Sequence, residues 1–417
     1  MSKVLVDLGQ AYVSDFIADP KETENRKKYP VQLVWNFRLG CPTLTYQPPK
    51  EEMWGKYWYK SGTNVSMQNA LKEVVADTLK HIKSFEKGDI WLDIASNDGT
   101  LLKHVPSLFY KVGIDPIEDK YTEECRQHAN AVVQDYFNEE SWAQVPYWEE
   151  NKKAKVVTSI AMFYDLEYPH QFARDVYNAM DTNGIWVMQL SYTPLMIEQL
   201  AFDNILGEHY AYHYLHSVKN ILSAEGFVIL DTELNDVNGG SIRIYSIKKD
   251  ADKTKFGTQP LRDVWDFRTE SLLEYEDAFF GEDVWKDFES RMNLLRMKVI
   301  DFIHKANQEG KSVWGYGAST KGNTLLQYFE LDGEMIEAIA ERNPDKYGLY
   351  TIGSNIPIKS EEEMRLAQPD YVLVMPWHFI SEFVQRESEY LKNGGAFIVP
   401  CPKFEIIRYE GNDRQFD

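Results

Sequence analysis

Cysteine is scarce: Cys41, Cys125 and Cys401 are the only three in 417 residues. They are far apart and odd in number, which excludes a disulfide framework and fits reduced thiols. Positive charge is also in short supply, with 45 Lys and Arg against 65 Asp and Glu, a formal net charge of −20. Phosphate neutralisation dominates non-specific nucleic-acid binding and adhesion to anionic membranes, so neither partner is expected. An anionic small molecule would need a local basic pocket. There is no run of 18 apolar residues, and the N-terminus MSKVLVDLGQ lacks the apolar stretch of an export signal. A soluble cytoplasmic protein, read as a monomer, is therefore expected. No short-period repeat or low-complexity segment appears.

What is present is apolar and aromatic: 43% hydrophobic and 14% Phe, Trp and Tyr. That composition folds, and the length suits two to three domains with cores of their own. The chain is organised around Asp89–Thr100, DIWLDIASNDGT. An apolar run ends in Asp93, passes Ala95 and Ser96, turns at Asn97-Asp98-Gly99 and opens a helical pattern. Strand, small-residue loop and helix make the first unit of a parallel sheet, whose ligand crevice lies at the strand's C-terminal end. One glycine and two acids make a poor pyrophosphate cradle, because that ligand prefers bare N–H groups and no nearby anion. The loop suits a cationic centre with a zwitterionic end. The next strand ends in Asp115, where an acid can accept both hydroxyls of a ribose. After a third strand, Asp135 stands where an adenine amino group could donate. Amino acid, ribose and adenine in that order are the parts of S-adenosylmethionine. Asp93, Ala95, Ser96, Asn97, Gly99, Asp115 and Asp135 are its expected contacts.

The pattern divides the chain. Residues 1–66 read as a small β-rich module and lid, with VQLVWNF and TLTY as short strands. Residues 67–249 alternate strand and helix and close with two strands entered through Asn238-Gly239-Gly240. A parallel sheet finished by an antiparallel pair is the usual shape of class I methyltransferases. Residues 250–310 are charged and helical, an expected connector. Residues 311–417 begin a second Rossmann-like α/β pattern. The fold class is α/β throughout.

Three further stretches carry chemistry. Gly315-Tyr316-Gly317-Ala318-Ser319-Thr320-Lys321-Gly322 follows a strand and opens a helix. Its third glycine sits two places late for a dinucleotide fingerprint, while Lys321 at a helix start suits a phosphate. Glu208-His209 lies among aromatics. Neighbours on a regular helix do not face each other, so both enter one cleft only if the backbone is irregular, as Gly207 allows. A histidine is the default general base, though His209 is as readily a core residue. Tyr57, Tyr59 and Asn64 in YWYKSGTN, and Arg243 in GGSIR, are unremarkable singly, and His170 and His378 read as structural.

Taken in order, YWYKSGTN, DIASNDGTLL, GID, MFYDLEYP, EHYAYHY, GGSIR and GYGASTKGNT resemble the sugar C-methyltransferase family, which methylates a carbon of nucleotide-linked keto-sugars in deoxysugar pathways. The resemblance spans nearly the whole chain. It implies a zinc module, a central S-adenosylmethionine domain and a C-terminal Rossmann-like domain, with the substrate between the last two. It implies His209 as base, assisted by Glu208 and by Tyr57 or Tyr59. Asn64, Tyr212, Arg243, Gly317, Lys321 and Asn323 are the candidate contacts of the nucleotide keto-sugar. Two features depart from the family. Its zinc module uses four cysteines, but Cys41 is the only one before residue 125 and Asn36 stands near where a paired cysteine would be. Structural zinc wants four such ligands, so the strands are expected without metal. Leu206 and Gly207 stand where some members carry a tyrosine, which leaves the sugar open.

The expected reaction removes a proton beside a ketone, and the carbanion then attacks the sulfonium methyl in line. Rival readings are an NAD-dependent oxidoreductase using Gly315–Gly322, an O- or N-methyltransferase, and an inactive nucleotide-sugar binder.

Overall fold

The structure, a computed structural model, describes residues 3–54, 58–147, 151–279 and 281–409. At the N-terminus β1 (Val4–Tyr12), β3 (Lys28–Asn36) and β4 (Cys41–Leu44) form an antiparallel sheet in the order β1-β3-β4. β1 was not legible in the sequence, because its VLVDLGQAY mixes polar and apolar residues and its pairing with β3 slips twice. The short β2 (Phe16–Ile17) leaves this sheet and pairs with residues 350–351 of the C-terminal region. Cys41 is buried, with Sγ 3.8 Å from Nδ1 of His213, and burial pushes its thiol up to about 12. Among the described residues no group of three His, Cys, Asp or Glu side chains could hold a metal. No described helix is long and apolar enough to cross a membrane.

The central sheet contains β5 (Ile90–Ile94), β6 (Tyr110–Ile114), β7 (Ala131–Val133), β8 (Ala154–Ile160), β9 (Met180–Ser191), β10 (Phe227–Asn235) and β11 (Ser241–Lys248). Their order is β10-β11-β9-β8-β5-β6-β7. The first five are parallel, and β11 runs antiparallel between β9 and β10. That reversed strand, inserted next to the edge, gives the class I methyltransferase sheet. Every residue of β5 and of β11 is buried, as expected for strands covered on both faces. The helix Val65–His81 covers one face through Leu71, Val74 and Val75.

The stretch 250–310 is more than a connector. It forms the helices Gln259–Phe279 and Glu282–Gln308. The first is bound to the central domain: Arg268 pairs with Asp231 of β10, and buried Glu276 accepts from the Tyr192 hydroxyl at 2.7 Å and the His216 N–H at 2.9 Å. The second buries Phe288, Met292, Leu295, Val299 and Ile303 at three- and four-residue spacing, one apolar helix face.

The C-terminal sheet contains β12 (Val313–Tyr316), β13 (Ile339–Glu341), β15 (Ile358–Ser360), β16 (Tyr371–Val374), β17 (Ala396–Val399) and β18 (Glu405–Arg408), while β14 (Tyr350–Thr351) is the partner of β2. Its order is β15-β13-β12-β16-β17-β18, parallel except for β18. Polar contacts join it to the rest of the chain. Asn323 Nδ2 donates to the Ser14 hydroxyl and the Asp15 carbonyl, and Trp377 Nε1 donates to Asp203.

Phe288 is fully buried where the long helix meets the core. Phe288→Ala should cost about 3–5 kcal/mol, read as a lower urea midpoint with unchanged slope.

Candidate active site

A cavity of about 840 Å³ opens at the C-terminal ends of the central strands and is closed on its far side by the C-terminal domain. One wall is the loop after β5. Asp93 is buried and accepts from the Thr158 hydroxyl of β8 at 2.6 Å. Burial, and less so Asp115, pushes its carboxyl up to about 7. Beyond it the chain turns through left-handed Ala95 and Asn97. This tight path is held by Asp115, whose two oxygens accept the Asn97 N–H at 2.7 Å and the Ile117 N–H at 2.9 Å. Gly113 lets the loop lie so close, since a Cβ there would stand 2.6 Å from the Ser96 hydroxyl.

A strap crosses this loop. The Asn97 amide accepts from Ser61 N–H at 3.1 Å and donates to the Tyr59 carbonyl at 3.1 Å, while Asp98 accepts from Gly62 N–H at 2.8 Å. Tyr59 and Asn64 thereby reach the cavity wall. Asn64 also caps the helix Val65–His81 by accepting from Ser66 N–H. Tyr57 lies outside the described residues.

The opposite wall carries Glu208 and His209, on a stretch with no regular helix between 205 and 214. The irregular backbone brings both side chains to the same cavity. His209 Nδ1 lies 2.8 Å from the Asn204 carbonyl. A carbonyl only accepts, so Nδ1 carries the proton and Nε2 keeps its lone pair. The ring lies against Tyr164 at 4.3 Å. Burial, and secondarily the Lys321 charge, hold this imidazole down to about 3. Lys321 also lines the cavity, donating to the Asn238 carbonyl at 2.9 Å. Burial lowers its pKa against the support of Asp203.

Other candidates lie elsewhere. Gly99 starts a helix in a left-handed conformation against Cys125. Asp135 accepts its neighbour's N–H, and Tyr136 and Phe137 line the cavity in its place. Tyr212 is buried behind His209, its hydroxyl on the Asn204 carbonyl at 3.2 Å. Arg243 is buried within the sheet, bound to Asp77 and to Oε1 of Gln189. Through Gln189, which does line the cavity, it reaches the site at one remove. A Cβ at Gly317 would stand 2.5 Å from Pro376, and the Asn323 Nδ2 donates to Ser14 and Asp15 while its Oδ1 is buried with no partner among the described residues.

The central domain therefore supplies one continuous chamber, with a loop for a small zwitterion on one side and a neutral imidazole on the other. A model of the C-methyltransferase C-terminal domain matches residues 236–402, and a methyltransferase-domain model matches residues 66–232. The chain is 25% identical over 402 residues to the C-methyltransferase NovU of Streptomyces niveus, covering 95% of this chain and 92% of that one. Along nearly its whole length the chain is therefore similar to C-methyltransferases. Among solved structures, it is similar to magnesium protoporphyrin IX methyltransferase of Synechocystis with bound S-adenosylmethionine, at 14% identity and a TM-score of 0.32, over 44% of this chain and 80% of that one. It is also similar to an S-adenosylmethionine-dependent methyltransferase of Clostridium acetobutylicum, at 12% identity and a TM-score of 0.32, over 43% and 90% of the two chains.

In this methyltransferase several cavity residues were missed in the sequence. Gln189 was readable as a lone polar side chain at the end of the buried strand GIWVMQL. Tyr136 and Phe137 directly follow the acid at the end of the third strand. Asp165 was hidden in MFYDLEYP, where nothing separates a cavity acid from a turn acid. His378, read as structural, also lines the chamber.

The strap requires glycine at 62, because a Cβ there would lie 2.6 Å from Oδ2 of Asp98. Gly62→Ala should weaken S-adenosylmethionine binding about tenfold, the loss of roughly one charge-assisted hydrogen bond. Calorimetry should show this with thermal stability nearly unchanged.

Proposed function

We propose that this C-methyltransferase acts on a nucleotide-linked keto-sugar, at the carbon beside the ketone. The carrying observation is His209: a half-buried imidazole, fixed as its Nδ1–H tautomer, that lines the same cavity as the Asp93–Asn97 loop. Methylation of oxygen or nitrogen often proceeds by positioning alone, whereas carbon needs a base. The family's own description, a C-methyltransferase, agrees with that need.

Asp93, Ala95, Ser96 and Asn97 would hold the amino-acid end of S-adenosylmethionine, Asp115 its ribose, and Tyr136 and Phe137 its adenine. The residues present fit such a group: the left-handed turn at Ala95 and Asn97 borders the cavity, and Asp93, Asp115 and Asp165 make its lining acidic, as a sulfonium requires. S-adenosylmethionine supplies a methyl group on positive sulfur, already an excellent leaving group. The protein then has two tasks, to take a proton from carbon and to keep the reacting atoms within about 3–3.5 Å. His209 does the first. Tyr59, Asn64 and Glu208 orient the sugar. Among the described lining residues only Lys50 and Lys321 are lysines or arginines, so the diphosphate is assigned to the Ser319–Lys321 helix start.

The oxidoreductase reading loses its crevice. Lys346 donates to the Ala318 carbonyl at 2.7 Å and lies over the Phe16 ring, and Glu341 is bound to the Ala318 and Asn343 N–H groups. The chain's own side chains fill the place where a dinucleotide would lie.

His209→Asn keeps a polar side chain but cannot take the proton. With a nucleotide 4-keto sugar it should lose about 10²–10⁴-fold in methyl transfer, and exchange of the substrate's α-proton with D₂O should vanish by NMR. Full activity in this variant would overturn the assignment of the base.

The pH dependence follows from burial. A base works when neutral, and His209 is neutral until pH falls through about 3. The kcat profile should therefore show no loss near 6.5 on the acid side. A limb at 6.5 that disappears in His209→Asn would contradict this.

A further inference from the structure

The cavity also contains an acid that no part of the functional reading uses. Asp165 follows Tyr164 in the turn after β8, and Glu208 precedes His209 on the opposite segment. The two segments run side by side: the Gln47 amide donates to the backbone carbonyls of both Asp165 and Glu208 at 3.2 Å, and Ala211 N–H reaches the Tyr164 carbonyl at 2.9 Å. Both acids line the cavity. Asp165 Oδ1 is buried with no hydrogen-bond partner among the described residues, and Glu208 is 6% exposed. Neither is in a described ion pair. The lysine of this wall, Lys321, is directed at Asn238 and Asp203.

Burying a charge without a partner is expensive, and two neighbouring carboxyls cannot both afford it. We propose that Asp165 and Glu208 form a protonated carboxyl pair that donates to the carbonyl oxygen of the substrate while His209 takes the proton from the neighbouring carbon. The proposal rests on the keto-substrate reading above. Burial alone pushes Glu208 up to about 8, and burial followed by the Glu208 charge raises Asp165 well above the usual carboxylate range. The groups facing the pair are Tyr164 from the same turn, His209 and Tyr212 from the 205–214 segment, Tyr59 from the strap and, beyond His209, Lys321. Acid and base are thus driven in opposite directions, which is how one site holds both at neutral pH.

The step balances within the site. The C–H bond breaks, its proton goes to Nε2 of His209, and its electron pair forms the C=C bond. The carbonyl π pair moves onto oxygen, which takes the carboxyl proton. The resulting carboxylate stands beside the imidazolium just formed, so each transfer stabilises the other. When the carbon is methylated, the C=C pair forms the new bond to the methyl group, the pair of the broken methyl–sulfur bond stays on sulfur, the C=O bond re-forms, the enol proton returns to the carboxyl pair and the imidazolium proton leaves His209 for solvent. Glu208 is the donor nearest the base, and Asp165 is a positioning residue that acts through it.

Infrared titration of the protein without sugar tests the pair, using difference spectra of the parent against Asp165→Asn and Glu208→Gln. Expected are protonated-carboxyl bands from both side chains at pH 7, the Glu208 band being lost as pH rises through about 8. In Glu208→Gln, Asp165 should ionise at lower pH than in the parent, because the charge holding it up is gone. An unchanged Asp165 titration in that variant would mean that the two carboxyls are not coupled, and would overturn the pair. At pH 7 each substitution should slow α-proton exchange of a nucleotide 4-keto sugar about 10²-fold. Bands absent at pH 7, or exchange unchanged in both variants, would overturn the pair. If the parent exchanges no keto-sugar while the bands titrate as described, the substrate reading fails and takes the carbonyl acceptor with it.

Discussion

Asp115 ties two loops together by accepting one backbone N–H from each, and much of the site depends on that carboxylate. It fixes Asn97 in a left-handed conformation that few residues adopt without support. Asn97, once fixed, presents its amide to the strap at Tyr59 and Ser61, and Asp98 receives Gly62. A single acid at a strand end thus propagates through two side chains to a segment some fifty residues earlier. Tyr59 and Asn64 stand at the cavity because this chain of hydrogen bonds holds them there. The same carboxylate remains open to the cavity, so a ribose would meet an acceptor already oriented by the protein.

The other side of the chamber is governed by dehydration. Aromatic side chains crowd Glu208 and His209, and the charges that surface residues would carry are suppressed. His209 stays neutral because its imidazolium would be buried near Lys321, and Glu208 stays protonated because its carboxylate would be buried without a cation. One physical cause, exclusion of water, holds the imidazole neutral and the carboxyl protonated. Lys321 is buried too, yet it has the Asn238 carbonyl and the Asp203 charge to support it.

Much of this was legible in the sequence where local pattern and tertiary structure agree. The apolar strands ending in Asp93 and Asp115, the closing antiparallel pair and the second α/β unit all carry their signal in a few consecutive residues. What failed depended on side-chain direction. Asp135 accepts from Tyr136 N–H, Asn323 Nδ2 donates to Ser14, and Gly99 and Gly317 are packed so closely that a Cβ would meet Cys125 and Pro376. Arg243 was read as a ligand and is instead a buried support of Gln189. β1 was invisible because its pairing, slipped in two places, leaves no clean alternation to read. The 250–310 helices showed their periodicity, but their attachment to β10 arises from Arg268 and Glu276, whose partners lie 37 residues or more away.

The position of β11 bears on how such a chain can be divided. The two family models meet near residue 236, yet the strand that follows that junction lies inside the first sheet, between β9 and β10. A chain cut at the junction would leave its N-terminal part with a gap one strand wide, and β9 and β10 would each have an unpaired buried edge. The C-terminal part would begin with a strand that is buried at every residue in the whole chain, and would offer it no partner. The homology boundary is therefore not a folding boundary. Exchange of halves between relatives has to carry β11 with the donor-binding side, and with it the Asn238 carbonyl that receives Lys321.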